Sequence, residues 1–363
     1  MTGSTVVLVG GGHAHALVLA ALRDAPFEGA QVILVNPGGT APYSGMLPGF
    51  VAGHYSRASL EIDLVALSAA CNARLVDDFA VGLEPAAKIL RLKSGAEIPY
   101  DLISFDVGIT TRMPALDGFS EHGVPAKPLG VFAKEWDAFI KEGGPHSVAV
   151  LGGGVAGAEL AMAMAFALRS KGQTDAKVRL LDRSEILSEL SRPMRARVCR
   201  GLAHNGVEVH ANTQIDAVTA THILRRDDTP LAVDFVVGAA GASAHDWMGD
   251  TALDLKDGFI RVNAHLQASD SSVFAVGDCA HMDHAPRPKA GVYAVRQAPV
   301  LTANLRAALV GNPLKSYQPQ DDYLKLISLG RKSAIGVRGG IPFSGRLVWR
   351  LKDWIDRKFM DQF

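Results

Sequence analysis

The sequence predicts an α/β fold of the doubly wound type, and three stretches carry that prediction. Val6-Val7-Leu8-Val9 runs directly into Gly10-Gly11-Gly12 and an alanine-rich segment from Ala14 to Leu22. Ser147-Val148-Ala149-Val150-Leu151 runs into Gly152-Gly153-Gly154-Val155-Ala156-Gly157 and a second such segment, and Ser272-Val273-Phe274-Ala275-Val276 ends in Gly277-Asp278. In the first two, a buried strand meets a glycine turn and then a helix N-terminus. Glycines there let backbone approach a diphosphate, and the helix dipole faces its charge. The chain therefore reads as two Rossmann-like dinucleotide-binding domains. The first turn has His15 where G-x-G-x-x-G has its third glycine, so by itself it fits a dinucleotide site and a plain strand–helix connection equally; the second turn is complete.

Composition narrows the function classes. A chain of 363 residues suggests about two domains. With 37 basic against 37 acidic residues there is no electrostatic footprint for nucleic acid. Cys71, Cys199 and Cys279 are far apart, which argues against a disulfide framework or a zinc site, hence no metal, and for a reducing, cytoplasmic compartment. The N-terminus lacks the basic region of a signal peptide. The longest apolar run, Leu160 to Leu168, lies between Glu159 and Arg169 and is too short to span a bilayer.

Along the chain, Gln31 to Val35 reads as the second strand. It ends in Asn36, where an acid usually meets the ribose hydroxyls; the amide can do the same, or can form the turn into Pro37-Gly38-Gly39. Ala41-Pro42-Tyr43-Ser44-Gly45-Met46-Leu47-Pro48-Gly49 is an irregular, ligand-lining loop whose side-chain hydroxyls are those of Tyr43 and Ser44. Structural roles are expected for His54 and Tyr55. Residues 60 to 70 read as a helix, Ala73 to Leu83 and Ile89 to Leu92 as short strands, and Tyr100 to Gly108 as a strand leaving at a glycine. A connector from about 109 to 145 is punctuated by Pro114, Pro125, Pro128 and Gly143-Gly144-Pro145.

Beyond the second turn the helix reaches about Arg169, and Val178 to Leu181 forms a strand ending in Asp182. An acid there favours the free 2′-hydroxyl of NAD over the 2′-phosphate of NADP, with Arg183 arguing the other way. A helix from Pro193 to Asn205 and strands at Val207 to His210, His222 to Arg225 and Asp234 to Val237 lead to Gly238-Ala239-Ala240-Gly241, small residues that admit a cofactor. Asp278, at a strand end, can reach a sugar hydroxyl. Near the C-terminus, Tyr323 to Leu329, a Gly330-Arg331-Lys332 turn and Ala334 to Val337 read as a hairpin. The last segment is amphipathic, with Leu347, Leu351, Ile355 and Phe359 in one stripe widened by Trp354, flanked by Arg346, Arg350, Lys352, Arg357 and Lys358 and diluted by Asp353, Asp356 and Asp361. It fits an interfacial membrane helix, or a helix packed on its own domain or on a second copy.

Two glycine turns followed by Phe274-Ala275-Val276-Gly277-Asp278-Cys279-Ala280 resemble the two-dinucleotide-binding-domain flavoproteins of the pyridine nucleotide-disulfide oxidoreductase superfamily. More narrowly, Gly10 to His15, Pro42 to Gly49, Lys289 to Gln297 and Leu351 to Met360 resemble the NADH-dehydrogenase-like module found fused to selenide, water dikinase. No kinase segment follows Phe363, so any link to selenium metabolism would be that of a free-standing protein. The resemblance implies FAD at the first turn and NAD(P)H, as substrate, at the second, with the second domain inserted in the first. Residues 1–110 and 246–315 would bind FAD, 111–245 would bind NAD(P)H, and 316–363 would form a C-terminal hairpin and amphipathic helix. It places Gly10, Gly12, His13 and Ala14 at the FAD diphosphate and Asn36 at its ribose. It places Ser44, Gly45, Met46 and Leu47 near the flavin, Ala80 at the adenine, Gly108 at the return to the flavin domain, and Gly277 and Asp278 at the ribityl chain. Gly152, Gly154, Val155, Ala156, Gly157, Asp182 and Gly241 fall to the nicotinamide cofactor, with Glu159 near the nicotinamide or merely solvated.

Hydride transfer between the two cofactors needs no protein acid or base in the step itself. In the family, a helix beginning at Lys289 would aim its N-terminus at the flavin, where its dipole and the Lys289 charge favour an anionic reduced ring; Pro299 should kink that helix. The active-site cysteine pair of the disulfide reductases is missing, and so are the glutamines lining the quinone site of type II NADH dehydrogenases, Gln297 and Arg296 alone standing there. The expectation is an FAD-dependent NAD(P)H dehydrogenase, NADH favoured, passing electrons to a quinone or similar small acceptor. Its rivals are a reductase of a protein carrier such as a ferredoxin or rubredoxin, and a non-enzymatic flavin-binding partner in selenium metabolism. His15 would be either a neutral imidazole or a donor facing the diphosphate. The place expected is the cytoplasm, or the inner face of the membrane if the last helix is interfacial; the oligomeric state stays open.

Overall fold

The computed structural model describes residues 3–111, 113, 115–142, 146–226 and 229–363; Pro114 and Gly143-Gly144-Pro145 of the connector lie outside them. Two five-stranded parallel sheets organise the chain. The first runs in the order Val273–Ala275, Leu102–Phe105, Ser4–Val9, Ala30–Val35, Arg74–Val76. The second runs Gly123–Pro125, Phe235–Gly238, Ser147–Leu151, Lys177–Leu181, Val207–His210. Both faces of such a sheet are covered, which is why its strands read as unbroken apolar runs rather than alternations. Val6, Val7 and Leu8 are fully buried, as are Val148, Ala149 and Val150. The strand Val273–Ala275 returns to the first sheet after the whole second sheet has been laid down, so the second unit is an insertion in the first.

In each sheet the strand order reverses beside the strand that feeds the glycine turn. The crevice at that switch point, outside the carboxyl ends of the strands, is where a parallel sheet offers a ligand site. The helix His13–Asp24 leaves the first turn and packs against Gly291–Leu309. The helix Val155–Ser170 leaves the second and is buried nearly all round, so the apolar run at its centre is a core helix.

Four local expectations need correction. Within residues 60 to 70, Glu61–Asp63 is a strand paired with Thr40–Pro42; the helix Leu64–Ala70 starts only after Asp63, whose side chain caps the Ala66 amide. The strand read from Ala73 to Leu83 is two strands, Arg74–Val76 in the main sheet and Ala80–Glu84 in a small antiparallel one. The helix expected from Lys289 begins at Gly291 and continues unbroken through Pro299. The C-terminal hairpin is a three-stranded antiparallel sheet, Lys325–Leu329, Arg331–Arg338 and Ile341–Gly345. Its third strand holds Pro342 and is short, two features that mask an edge strand in a sequence.

The final helix, Arg346–Met360, is turned differently from its pattern. Val348, Asp356 and Phe359 face inward, whereas Leu347 is 77% and Trp354 57% exposed. The apolar stripe is therefore split: one part seats the helix and the other, with Ile341 and Phe343 of the neighbouring strand, forms an outward apolar face. Among the described residues, no helix is long and apolar enough to cross a membrane.

Candidate functional site: two glycine turns and a cleft

At the first turn, Gly10 has φ +89°, and a Cβ there would lie 2.5 Å from the Asp106 carbonyl oxygen, so only glycine fits. The Gly11 amide donates to Asn36 Oδ1 at 2.8 Å, and the Asn36 amide group donates to the Pro37 and Gly38 carbonyls. Asn36 thus makes its turn and also stands at the site. His15 is buried between Gly10 O (2.8 Å from Nδ1) and Ser104 Oγ (2.9 Å from Nε2). A carbonyl only accepts, so Nδ1 carries the proton and Nε2 accepts from the serine. Burial holds this imidazole down to about 4, against the Gly10 bond that pulls it up. His15 therefore bolts the helix to the sheet as a neutral ring, which corrects the reading of it as a donor to a diphosphate.

A cleft of about 540 Å³ opens from this turn. Of the residues expected at the flavin cofactor, Gly10, Gly12, His13, Asn36, Ser44, Ala80, Gly108 and Asp278 line it; Ala14, Gly45, Met46, Leu47 and Gly277 do not. Lys127, Trp247 and the Arg57 and Glu61 pair also line it, without any motif that marks them. Lys127 Nζ donates to Asp278 Oδ2 at 2.8 Å, and Arg57 meets Glu61 at 2.6 Å. Asp106, another lining residue, sits under the first helix, its Oδ2 accepting from the amides of Ala14 at 2.8 Å and His15 at 3.2 Å. Its signal was legible: like Asp278, it is an acid at the end of an apolar strand within two residues of a glycine.

The C-terminal helix closes one end of this region. Tyr43 stacks on Phe359 at 4.4 Å, and the His13 ring meets both edge-on, at 5.2 and 5.8 Å. Lys352 Nζ donates to Gly45 O and to Asp356 Oδ2, both at 2.6 Å, while Tyr43 OH donates to Asp356 Oδ1 at 3.4 Å. Burial raises the Asp356 carboxyl, with Lys352 pulling the other way. Burial also lowers His13 to about 4, opposed by Asp278 and assisted by Lys127, so that ring is neutral as well.

The second turn repeats the first. Gly152 has φ +123°, and a Cβ on Gly157 would lie 1.9 Å from Gly152 O, so the helix can approach the strand only at glycine. The Gly153 amide donates to Asp182 Oδ2 at 2.6 Å, the counterpart of Gly11 and Asn36. Asp182 also accepts from the Ser184 amide and hydroxyl at 2.7 Å. Burial pushes this carboxyl up, but the bonds from Gly153 and Ser184 outweigh it and hold it below the usual range. The Val155 amide donates to Glu189 at 2.9 Å, Ala156 is exposed, Gly154 stands beside Glu189, and Gly241, with φ +70°, follows the Ala239-Ala240 backbone that packs on Gly152.

Two further expected residues are placed as follows. Glu159 Oε1 accepts from the Ser328 amide at 2.6 Å, and burial raises its carboxyl to about 7 against the pull of Lys352. Lys289 Nζ donates to Ala280 O at 2.7 Å and lies 3.8 Å from the Phe259 ring centroid, outside the cleft lining, where Lys127 is the cation beside Asp278. Cys279 is a buried thiol pushed up to about 12 by burial and then by Asp106. This donor set, amides and glycines at a turn with Asn36, Asp278 and Lys127 around one cleft, fits a flavin dinucleotide.

Over 268 residues the chain is 27% identical to the demethylphylloquinone reductase NdbB of Synechocystis, a match covering 70% of this chain and 65%, just under two thirds, of that protein. It is 23% identical over 358 residues to the NADH dehydrogenase-like protein YutJ of Bacillus subtilis, covering 96% of both. Among solved structures, NDH2 from Plasmodium falciparum in complex with NADH shares the fold with a TM-score of 0.83 over 99% of this chain and 97% of that one, at 11% identity. Residues 4–298 match the family described as pyridine nucleotide-disulphide oxidoreductase, and the chain belongs to it.

Proposed function

We propose that this protein is an FAD-dependent NAD(P)H dehydrogenase that takes hydride from NADH and passes electrons to a quinone or a similar small acceptor. The observation that carries this reading is the duplicated turn. Gly11 bonded to Asn36 and Gly153 bonded to Asp182 are two equivalent dinucleotide cradles, the first opening on the cleft. In this assignment residues 1–110 and 246–315 hold FAD, 111–245 hold the nicotinamide cofactor and 316–363 cover the flavin end. FAD, when bound, supplies the two-electron chemistry. The protein's own part is positional. The amides of Gly12 and His13 and the Lys127–Asp278 pair orient the cofactor, and Trp247 and the Tyr43–Phe359 stack exclude water around it. Glu159 holds a titratable carboxyl on the second-turn helix, and Asp182 favours a free ribose hydroxyl, hence NADH.

The quinone acceptor is supported by the relative named as a demethylphylloquinone reductase. A quinone is met at a membrane surface, and the outward face of Ile341, Phe343, Leu347, Leu351 and Trp354, with Lys358 beside Trp354, suits an interfacial contact. The deciding experiment is an anaerobic titration of the purified protein with NADH and NADPH, followed by a quinone. The expected result is a flavin spectrum bleached preferentially by NADH and restored by the quinone. A protein that carries no flavin and cannot be reconstituted with FAD overturns the reading. Reoxidation by a ferredoxin and not by a quinone transfers it to a protein-carrier reductase.

A further inference from the structure

Asp106 is 4% exposed, and its carboxylate occupies a fitted space at the N-terminus of the first helix. Two glycines make that space: a Cβ on Gly12 would lie 2.3 Å from Asp106 Cγ, and one on Gly277 would lie 2.5 Å from its Oδ1. The glycine of the first turn and the glycine of the Gly-Asp pair are thus both required by a carboxyl of the protein itself. With Ala14 and His15 capped by Asp106, the orphan donors left for a ligand are the amides of Gly12 and His13. A diphosphate held there stands beside a second anion in a poorly solvated site, where like charges cannot both persist cheaply.

The groups around Asp106 do little to relieve this. From the first helix come His13 and His15, both kept neutral by burial. From the Gly277–Cys279 turn come the Cys279 thiol and Asp278, an additional negative charge whose partner Lys127 is engaged with it, and the charge of Lys289, bonded to Ala280 O, acts on Asp278 and Cys279. No cation bonds Asp106 among the described residues. Burial, joined by Asp278, lifts its carboxyl to about 7 in spite of the two amide bonds.

We propose that Asp106 takes up a proton from solvent as FAD binds, so that the anionic diphosphate meets a neutral acid at the helix N-terminus; the proposal rests on the flavin reading. The proton adds to a carboxylate oxygen, and no other bond changes. FAD affinity then falls as pH rises, by up to about tenfold per pH unit above the carboxyl's own pKa, and is flat below it. Asp106→Asn retains an acceptor oxygen for the Ala14 and His15 amides but cannot titrate.

The test uses the full chain purified with its flavin. Free FAD, read by its fluorescence after dilution, gives the dissociation constant from about pH 6.5 to 8.5. Infrared spectroscopy of the holoprotein at the upper end of that range reads the carbonyl band of a protonated carboxylic acid. The expected result is a dissociation constant that climbs across the range in the wild type and is level in D106N, with an acid band that the variant lacks. A level wild-type profile without an acid band overturns the proposal. So does a slope or a band that survives in D106N, since the proton then sits elsewhere, His13 being the nearest alternative. Should D106N fail to fold, the wild-type band and slope still decide. A chain that binds no FAD at any pH refutes the flavin reading itself, a different outcome from pH-independent binding.

Discussion

Lys352 and Asp356 should behave as one unit. Their side chains are only 12% and 6% exposed, they meet at 2.6 Å, and Lys352 also holds Gly45 O in the loop that borders the cleft. Breaking a buried pair by deleting one partner costs about 3–5 kcal/mol because the other charge is stranded, whereas replacing both by apolar groups of similar volume is often neutral. For Lys352→Met the stranded group is Asp356. Its carboxyl is already raised by burial, so it escapes in part by taking a proton, and the loss at neutral pH should fall near the lower bound, about 3 kcal/mol. Asp356→Leu strands Lys352, which keeps Gly45 O and the nearby Glu159, and should cost somewhat less, about 2 kcal/mol. The double variant should cost at most about 1 kcal/mol, giving a coupling energy of roughly 4 kcal/mol. Urea unfolding followed by tryptophan fluorescence, to which Trp349 and Trp354 of this helix contribute with Trp136 and Trp247, reads the transition. Additive losses, or single losses below about 1 kcal/mol, would refute the claim that the pair is a buried clasp rather than a surface bridge.

Three other outcomes follow from the site. Asp182→Ala removes the acceptor at the second turn and should shrink the preference for NADH over NADPH by about 10- to 100-fold, measured as the ratio of kcat/KM values. Glu159, raised to about 7, is neutral below that pH and ionised above it, so the rate of flavin reduction by NADH should bend near neutrality in the wild type and run level in Glu159→Gln. Replacing Leu347 and Trp354 together by glutamine should leave unfolding unchanged, because both are exposed, yet abolish flotation with anionic vesicles, since each side chain forfeits about 1.5–3 kcal/mol of burial; undiminished flotation would place the contact elsewhere.

The parts of this fold that a sequence shows are those built from neighbours in the chain. Val6 to Val9 into Gly10, and Val148 to Leu151 into Gly152, are local patterns, and the strand-end side chains Asn36 and Asp182 were findable because a parallel sheet delivers them to its carboxyl edge. Lys127 was not, since a lysine between Ala126 and Pro128 has no periodicity, and its meaning arises only when Asp278 arrives from the far end of the chain. The final helix misled for the opposite reason. Its pattern is a good amphipathic stripe, but burial of the Lys352–Asp356 pair depends on what the helix meets, the Tyr43 to Gly45 loop, and only part of the apolar stripe, Phe359 with it, turns inward while Leu347, Leu351 and Trp354 face out.

The interrupted first sheet also sets a timetable. Leu102–Phe105 needs Val273–Ala275 as its outer neighbour, and Ile103 and Val273 are roughly 170 residues apart, so at about 5–20 residues per second a ribosome leaves that edge bare for some 10–30 s. During this interval the inserted sheet, from Gly123–Pro125 to Phe235–Gly238, has every strand it needs, while the first half holds an unpaired edge with the hydrogen-bonding row of an aggregation template. The nicotinamide cradle can therefore be finished before the flavin cradle. On the proposed assignment flavin loading would come last, once Asp278, the Gly291–Leu309 helix and finally Phe359 have left the ribosome.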